Sequence, residues 1–273
     1  MSETPPVVLV IAGSDSGGGA GIQADLRTLA AHCVFPTTAI TALTAQNTQG
    51  VHAVHVAPAD IVSAQIEAVL DDFDVRATKT GMLASAEIIE VVASYAAAGR
   101  LPGLVVDPVM VSASGDRLLE SEAEEAYRRQ LFPYAAVVTP NLREASVLVG
   151  RTLESVADMS EAARELAVTT GAAAAVVKGG HLDADVAVDV VWDGRHLHEL
   201  GGARMATNNN HGTGCSLASA IAAGLAQGVD LLPAVRAAKA YVRRGLEAAS
   251  GWRLGQGHGP IDHFAGDSPA DRS

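Results

Sequence analysis

Short runs rich in β-branched residues recur along the chain at Val7–Ile11, Thr37–Leu43, Ala53–Val56, Val75–Thr80, Leu104–Asp107, Ala136–Thr139, Ala174–Lys178 and Val186–Trp192, and most of them predict strands. Alanine-rich segments with helical spacing lie between them. Val62, Ile66, Val69 and Phe73 follow Pro58-Ala59-Asp60, and Ile88, Ile89, Val92 and Tyr95 follow Ser85. Runs such as Leu104-Val105-Val106 offer apolar side chains to both faces, as a strand must when helices cover both sides of a largely parallel sheet. The alternation therefore predicts an α/β fold, a three-layer α/β/α sandwich around a central, mostly parallel sheet. Gly and Pro are scattered and no 20–50-residue repeat is present, so one domain over residues 5–265 is expected, with 266–273 a frayed polar tail. In such sheets ligands gather at the carboxyl ends of the strands.

Of the 273 residues, 48% are hydrophobic and only 18% charged, too apolar a mixture for a disordered chain. The 31 acidic against 19 basic side chains leave a net charge of −12, without the basic stripe that nucleic acid or an anionic membrane would demand. A local pocket for an anionic ligand is compatible with that balance. Cys33 and Cys215 are too few and too far apart for a disulfide framework or a four-thiolate zinc site, which fits a reducing compartment. Met1 to Pro6 carries no basic signal-peptide start, and no segment approaches the roughly 20 apolar residues of a membrane span. A cytoplasmic protein is expected.

Several segments have the composition for chemistry. Asn210-His211-Gly212-Thr213-Gly214-Cys215 runs directly into the helical stretch from Ser216 to Ala223. Two glycines there let successive N–H groups converge, and the helix behind adds its positive end, which together predict an anion hole. Cys215 sits at the first turn, where the same field is expected to favour the thiolate. A tight turn with Cys215 packed as a small hydrophobe is the plainer alternative. The opening segment from Gly13 to Gly21 matches neither of the common nucleotide-loop patterns and carries a carboxylate, Asp15. It is expected to approach a neutral or amine-bearing ligand. Asp25, one turn into the following helix, reads either as an acceptor for ring amines or as compensation of the helix dipole.

Pro140-Asn141-Leu142-Arg143-Glu144 follows a strand and has the spacing of a capping box; the same position would aim Asn141 and Glu144 at phosphate oxygens or at water on a magnesium ion. Lys178-Gly179-Gly180-His181 closes another strand, where a lysine can neutralise a phosphoryl group in transfer. Asp107-Pro108 and Lys79-Thr80-Gly81-Met82 close two more. The remaining histidines show no metal-ligand spacing.

Taken in order, the stretches Ala12 to Leu26, Thr41 to Thr48, Lys79 to Leu83, Thr139 to Leu142, Lys178 to His181 and His211 to Cys215 resemble the hydroxymethylpyrimidine/phosphomethylpyrimidine kinases of thiamine biosynthesis. The resemblance runs from about residue 7 to the segment Gly259 to Phe264. It implies the ribokinase-like fold, ATP with Mg²⁺, a homodimer, and two successive phosphorylations: of the pyrimidine hydroxymethyl group, then of the monophosphate. Carried onto this chain, it implies that Asp25 and Gln46 hydrogen-bond the aminopyrimidine while Gly13, Met82 and Val109 line its pocket. Gly212, Thr213 and Gly214 would form the anion hole beside Cys215, and Lys178, Asn141, Glu144 and Asp107 would organise nucleotide phosphates and magnesium. Most ribokinase-like sugar kinases have Asp where Cys215 stands, and many relatives have Lys where Asn208 and Gln256 stand. Three other readings stay open at this point: a pyridoxine/pyridoxal kinase of the same fold, a thiol hydrolase pairing Cys215 with His211, and a non-catalytic pyrimidine-binding protein. Val111 to Asp116, rich in small residues, is a candidate flap.

Overall fold

The computed structural model describes residues 4–110, 121–180 and 186–265. The candidate flap, His181 and the polar tail lie outside these residues. In chain order the elements are β1 (Val7–Asp15), α1 (Gly21–Ala31), β2 (Phe35–Asn47), β3 (Gly50–Val56), α2 (Ala59–Asp72), β4 (Val75–Thr80), α3 (Ala86–Ala97), β5 (Val105–Val106), α4 (Ser121–Ala126), β6 (Val137–Val138), α5 (Leu142–Val149), α6 (Val156–Thr170), β7 (Ala175–Val177), β8 (Val186–Trp192), β9 (Leu197–Ala203), α7 (Thr213–Ala226) and α8 (Leu231–Ala249). A π-turn over Tyr127–Leu131 and a 3₁₀ turn over Phe132–Tyr134 extend α4.

All nine strands form one sheet in the order β3-β2-β1-β4-β5-β6-β7-β8-β9. The stretch from β2 to β7 is parallel, whereas β3 at one edge and β8 and β9 at the other pair antiparallel with their neighbours. Side-chain alternation divides the core in two. Leu9 and Ile11 of β1 join one cluster with residues of α2 to α6, including Ile66, Ile89, Leu148 and Leu166. Val8, Val10 and Ala12 join the other, with Ile22 and Leu29 of α1, Ile221 of α7 and Val235 and Tyr241 of α8. The result is the expected three-layer sandwich.

Strand boundaries depart from the sequence reading where context outweighs local composition. β2 runs to Asn47, well past Leu43, because β3 returns antiparallel to it and Asn47 pairs with Gly50. β9 was not expected. Its sequence Leu-His-Glu-Leu-Gly-Gly-Ala has no β-branched residue, and it is held by its full ladder to β8. Helix starts follow their caps: Ser85 accepts from the Ile88 N–H, and Ser155 with Asp158 forms a capping box. The carboxyl ends of β1, β4, β5, β6 and β7 open toward the same edge of the sheet as the start of α7, and there the side chains with chemistry meet.

Candidate active site

A cavity of about 510 Å³ lies along that edge. Its lining includes Gly13, Gln46, Met82 and Val109, the strand-end residues Asp107, Asn141, Glu144 and Lys178, and Gly212, Thr213, Gly214 and Cys215 from the start of α7. Every expected site residue lines it except Asp25.

The start of α7 is shaped by a close approach of backbones. Gly212 caps the helix at φ +81°, and a Cβ there would sit 1.9 Å from the carbonyl oxygen of Gly19. No other residue type fits both constraints. Ser216 donates the first helical hydrogen bond, to the Gly212 carbonyl. The Gly214 and Cys215 N–H groups therefore precede any helical acceptor and carry the positive end of the dipole. Gly214 also admits an ion pair: a Cβ there would lie 3.2 Å from Lys178 Nζ and 3.6 Å from Asp107 Oδ2.

Lys178 Nζ donates to Asp107 Oδ1 at 2.8 Å. Burial opposes its charge, but Asp107 and Glu144 outweigh that and raise its pKa. The expected capping box on α5 is present: Asn141 Oδ1 accepts from the Glu144 N–H at 3.0 Å, and Glu144 Oε2 accepts from the Asn141 N–H at 2.8 Å. Burial pushes the Glu144 carboxyl up to about 7, with Lys178 working against the shift and Asp107 adding to it. Capping thus holds Glu144 in the cavity wall instead of removing it.

Two expectations are corrected. Asp25 does not reach the cavity. It is fully buried beneath the floor, with Lys79 Nζ donating to both carboxylate oxygens at 2.9 and 2.8 Å and Ser219 Oγ donating to Oδ1 at 2.7 Å. No oxygen is left facing a ring amine. Cys215 is also not a ready thiolate. Loss of solvent pushes its thiol up to about 11; Lys79 favours the anion, Asp25 and Asp107 oppose it, and the Gly21 N–H assists. The β1–α1 loop itself lines the cavity through Gly13, Ser14, Ala20 and Gly21, and its carboxylate Asp15 is satisfied largely within the loop. It accepts from the N–H groups of Gly17, Gly19 and Ala20 and pairs with His211 Nε2 at 2.9 Å. Burial works against its charge, yet these partners hold the carboxyl below its ordinary pKa.

His211 Nε2 lies between Asp15 and Gln46, 3.2 Å from the Gln46 amide nitrogen. The histidine thereby clasps the β1–α1 loop to the start of α7.

The sequence marked Lys79 only as part of a strand-end segment and gave it no role, yet it is fully buried and lines the cavity; the same reading passed over Arg204, Lys239, Arg243 and Asp189, which line it too. Lys239 Nζ pairs with Asp189 Oδ2 at 2.7 Å. A signal for part of this lining existed: Lys239, Val242, Arg243 and Leu246 recur at the spacing of one helix face. Arg243 likewise pairs with Glu247, so these cations are held in place by acidic neighbours.

Comparison with known proteins agrees with this geometry. A hydroxymethylpyrimidine/phosphomethylpyrimidine kinase of Rhizobium meliloti is 51% identical over 261 residues, covering 94% of this chain and 97% of the relative. A thiamine biosynthetic bifunctional enzyme of Arabidopsis thaliana is 49% identical over 96% of this chain, which spans 50% of that larger protein. An ADP complex of Bacillus subtilis pyridoxal kinase superposes with a TM-score of 0.88 at 38% identity, covering 96% of this chain and 98% of the other. The model of the phosphomethylpyrimidine kinase family matches residues 15–262, and to that family this chain belongs.

Proposed function

We propose that this chain transfers phosphate from ATP to the hydroxymethyl group of 4-amino-5-hydroxymethyl-2-methylpyrimidine and then to the resulting monophosphate, giving the diphosphate used in thiamine biosynthesis. One observation carries the reading: the main-chain N–H groups at the start of α7 lie beside the Lys178 ammonium in a cavity whose lining also holds Gly13, Met82 and Val109 and the cations Arg204, Lys239 and Arg243. A flat heteroaromatic alcohol fits between Gly13, Gln46, Met82 and Val109. The nucleotide phosphates run from α7 toward Arg204, Lys239 and Arg243.

In the first transfer the alcohol oxygen bonds to the terminal phosphorus, the bond to the ADP oxygen breaks, and the alcohol proton passes to the Cys215 sulfur. Main-chain N–H groups of Gly214 and Cys215 with Lys178 stabilise charge on the moving group. In the second, the nucleophile is a phosphate oxygen, largely deprotonated because its second pKa is about 6, and no base is required.

Asp107 and Glu144 supply two carboxyl groups against one lysine, an oxygen-rich set that suits Mg²⁺ sharing its remaining positions with phosphate oxygens. When bound, the ion would neutralise phosphate charge; Asp107 and Glu144 are the residues that would hold it. Asn141 and Thr213 serve as neighbouring phosphate contacts. Residues 5–265 act as one kinase domain in the cytoplasm, and among the described residues no helix is long and apolar enough to cross a membrane. The chain works as a homodimer; exposed Leu43, Val54 and Val56 on the β2–β3 hairpin supply an apolar contact surface, which sedimentation would test.

ATP turnover with the pyrimidine alcohol, followed by product mass, tests the activity: one and then two added phosphates are expected. ADP release without phosphate gain, or phosphorylation of pyridoxal alone in competition between the two alcohols, overturns it. The hydrolase alternative requires covalent trapping at Cys215 and turnover without ATP, which the same assay run without nucleotide reads out.

A further inference from the structure

A buried lysine that the proposed chemistry does not yet use lines the same cavity as the base. Lys79 ends β4 with no exposure, and a Cβ on Gly81 would meet its Nζ at 2.9 Å, so the ammonium sits behind the backbone of the cavity floor. Two of its three N–H groups are spent on the oxygens of Asp25. The third has no protein acceptor among the described residues, and Lys79 and Cys215 line the same cavity. Ser219, one helical turn beyond Cys215 on α7, donates to the same carboxylate, which ties the ion pair to the helix that carries the sulfur. A buried ion pair adds little to stability beyond what a well-packed apolar pair of equal volume would supply. Its position at the cavity floor calls for another role.

We infer that Lys79 is a positioning residue for the first phosphoryl transfer: its ammonium, held by Asp25 and Ser219, is the fixed positive charge against which Cys215 sulfur becomes anionic. The charged groups facing the sulfur are Lys79 of β4, Asp25 of α1, Asp107 beyond β5 and Lys178 beyond β7. Lys178 is bound to Asp107, beside the phosphate path. Lys79, among the described residues, is the fully buried cation acting on the sulfur. Asp25 keeps it charged and also opposes the thiolate, so the two partners of one ion pair act on Cys215 in opposite directions.

That opposition supplies the test, which rests on the base role of Cys215 but can fail separately from it. In a Cys33→Ser background, the rate of Cys215 alkylation by iodoacetamide is followed against pH in the full chain. Lys79→Met should move the midpoint upward and slow alkylation at pH 8 about tenfold, one pH unit being a factor of ten. Asp25→Asn should move it downward. The double variant Asp25→Asn with Lys79→Met, which removes both charges of the pair, guards against misfolding of the single ones and should still move upward. A purely structural pair would shift both single variants alike, and that result, or a midpoint unmoved in the double variant, overturns the inference. Lys79→Met should also slow phosphorylation of the alcohol far more than that of the monophosphate. Whether Cys215 is the base at all is read separately from Cys215→Ala: equal losses in both steps would remove that role whatever the Lys79 variants show.

Discussion

Cys215 carries the heaviest demand placed on any one side chain. A thiol at about 11 is only on the order of one part in a thousand ionised at pH 8. If the sulfur must be anionic to take the alcohol proton, the first phosphorylation should rise about tenfold per pH unit between pH 7 and 9. The second should stay nearly level there, because its phosphate nucleophile is already deprotonated. Single-turnover rates for the two substrates across that range check this, and parallel profiles would reject the base. Cys215→Asp should keep the first step and flatten its profile, since a carboxylate is ionised well below pH 7. The residue scale is also where the sequence was hardest to read. A cysteine after Gly-Thr-Gly announces a helix start, so its place in the site was legible. Its protonation was not, because the groups that set it, Lys79, Asp25 and Asp107, come from distant segments. Lys79 was legible as one of several strand-end residues, but nothing in its own segment shows that it is buried. Only Asp25, 54 positions away in the chain, reveals why it is buried.

At the scale of elements, the site is a meeting of strand ends with the start of α7, and its precision depends on two glycines of unequal strictness. Gly212→Ala places a methyl 1.9 Å from the Gly19 carbonyl, rigid backbone that can yield only if α7 and the β1–α1 loop separate. Such a shift misaligns the main-chain donors, and a displacement near 1 Å costs on the order of 100-fold in rate. Both phosphorylations should fall together. Gly214→Ala meets the end of the flexible Lys178 side chain at 3.2 Å and should lose much less. Comparing kcat/KM of the two variants on both substrates decides the point; equal losses would mean that the Gly19 contact is not what fixes α7. The glycines were readable as punctuation, but their ranking was not, since it depends on what lies opposite in space. The same holds for β9, invisible by composition and evident only from its pairing with β8. Where one segment contains its own explanation, as in the Asn141–Glu144 capping box, the sequence reading carried over into the structure intact.

For the molecule as a whole, two buried groups on different elements set opposing responses to pH. Glu144 has its carboxyl pushed up from 4.5 to about 7, chiefly by burial. The stability linked to it is complete below pH 4.5 and is lost as pH climbs through 7, because the folded chain holds the proton more tightly than the unfolded one. His263, buried and 3.1 Å from Ser216 Oγ, is pushed down from 6.5 to about 4 by burial and then by the Arg27 charge. Its contribution is complete above pH 6.5 and is lost as pH falls through 4. Each shift corresponds to about 3 kcal/mol at most. Between pH 4.5 and 6.5 the two slopes oppose, so stability should be nearly level there. Glu144→Gln, which can still close the capping box, should expose the histidine and make stability rise with pH. His263→Gln should expose the carboxyl and make stability fall. Urea midpoints at pH 4.5, 5.5 and 6.5 measure all three curves, and variants that slope in the same direction would show that neither group governs this window. Composition alone carries no trace of this balance. A net charge of −12 sums exposed and buried side chains alike, whereas the response to acid belongs to individual groups on which the fold has closed.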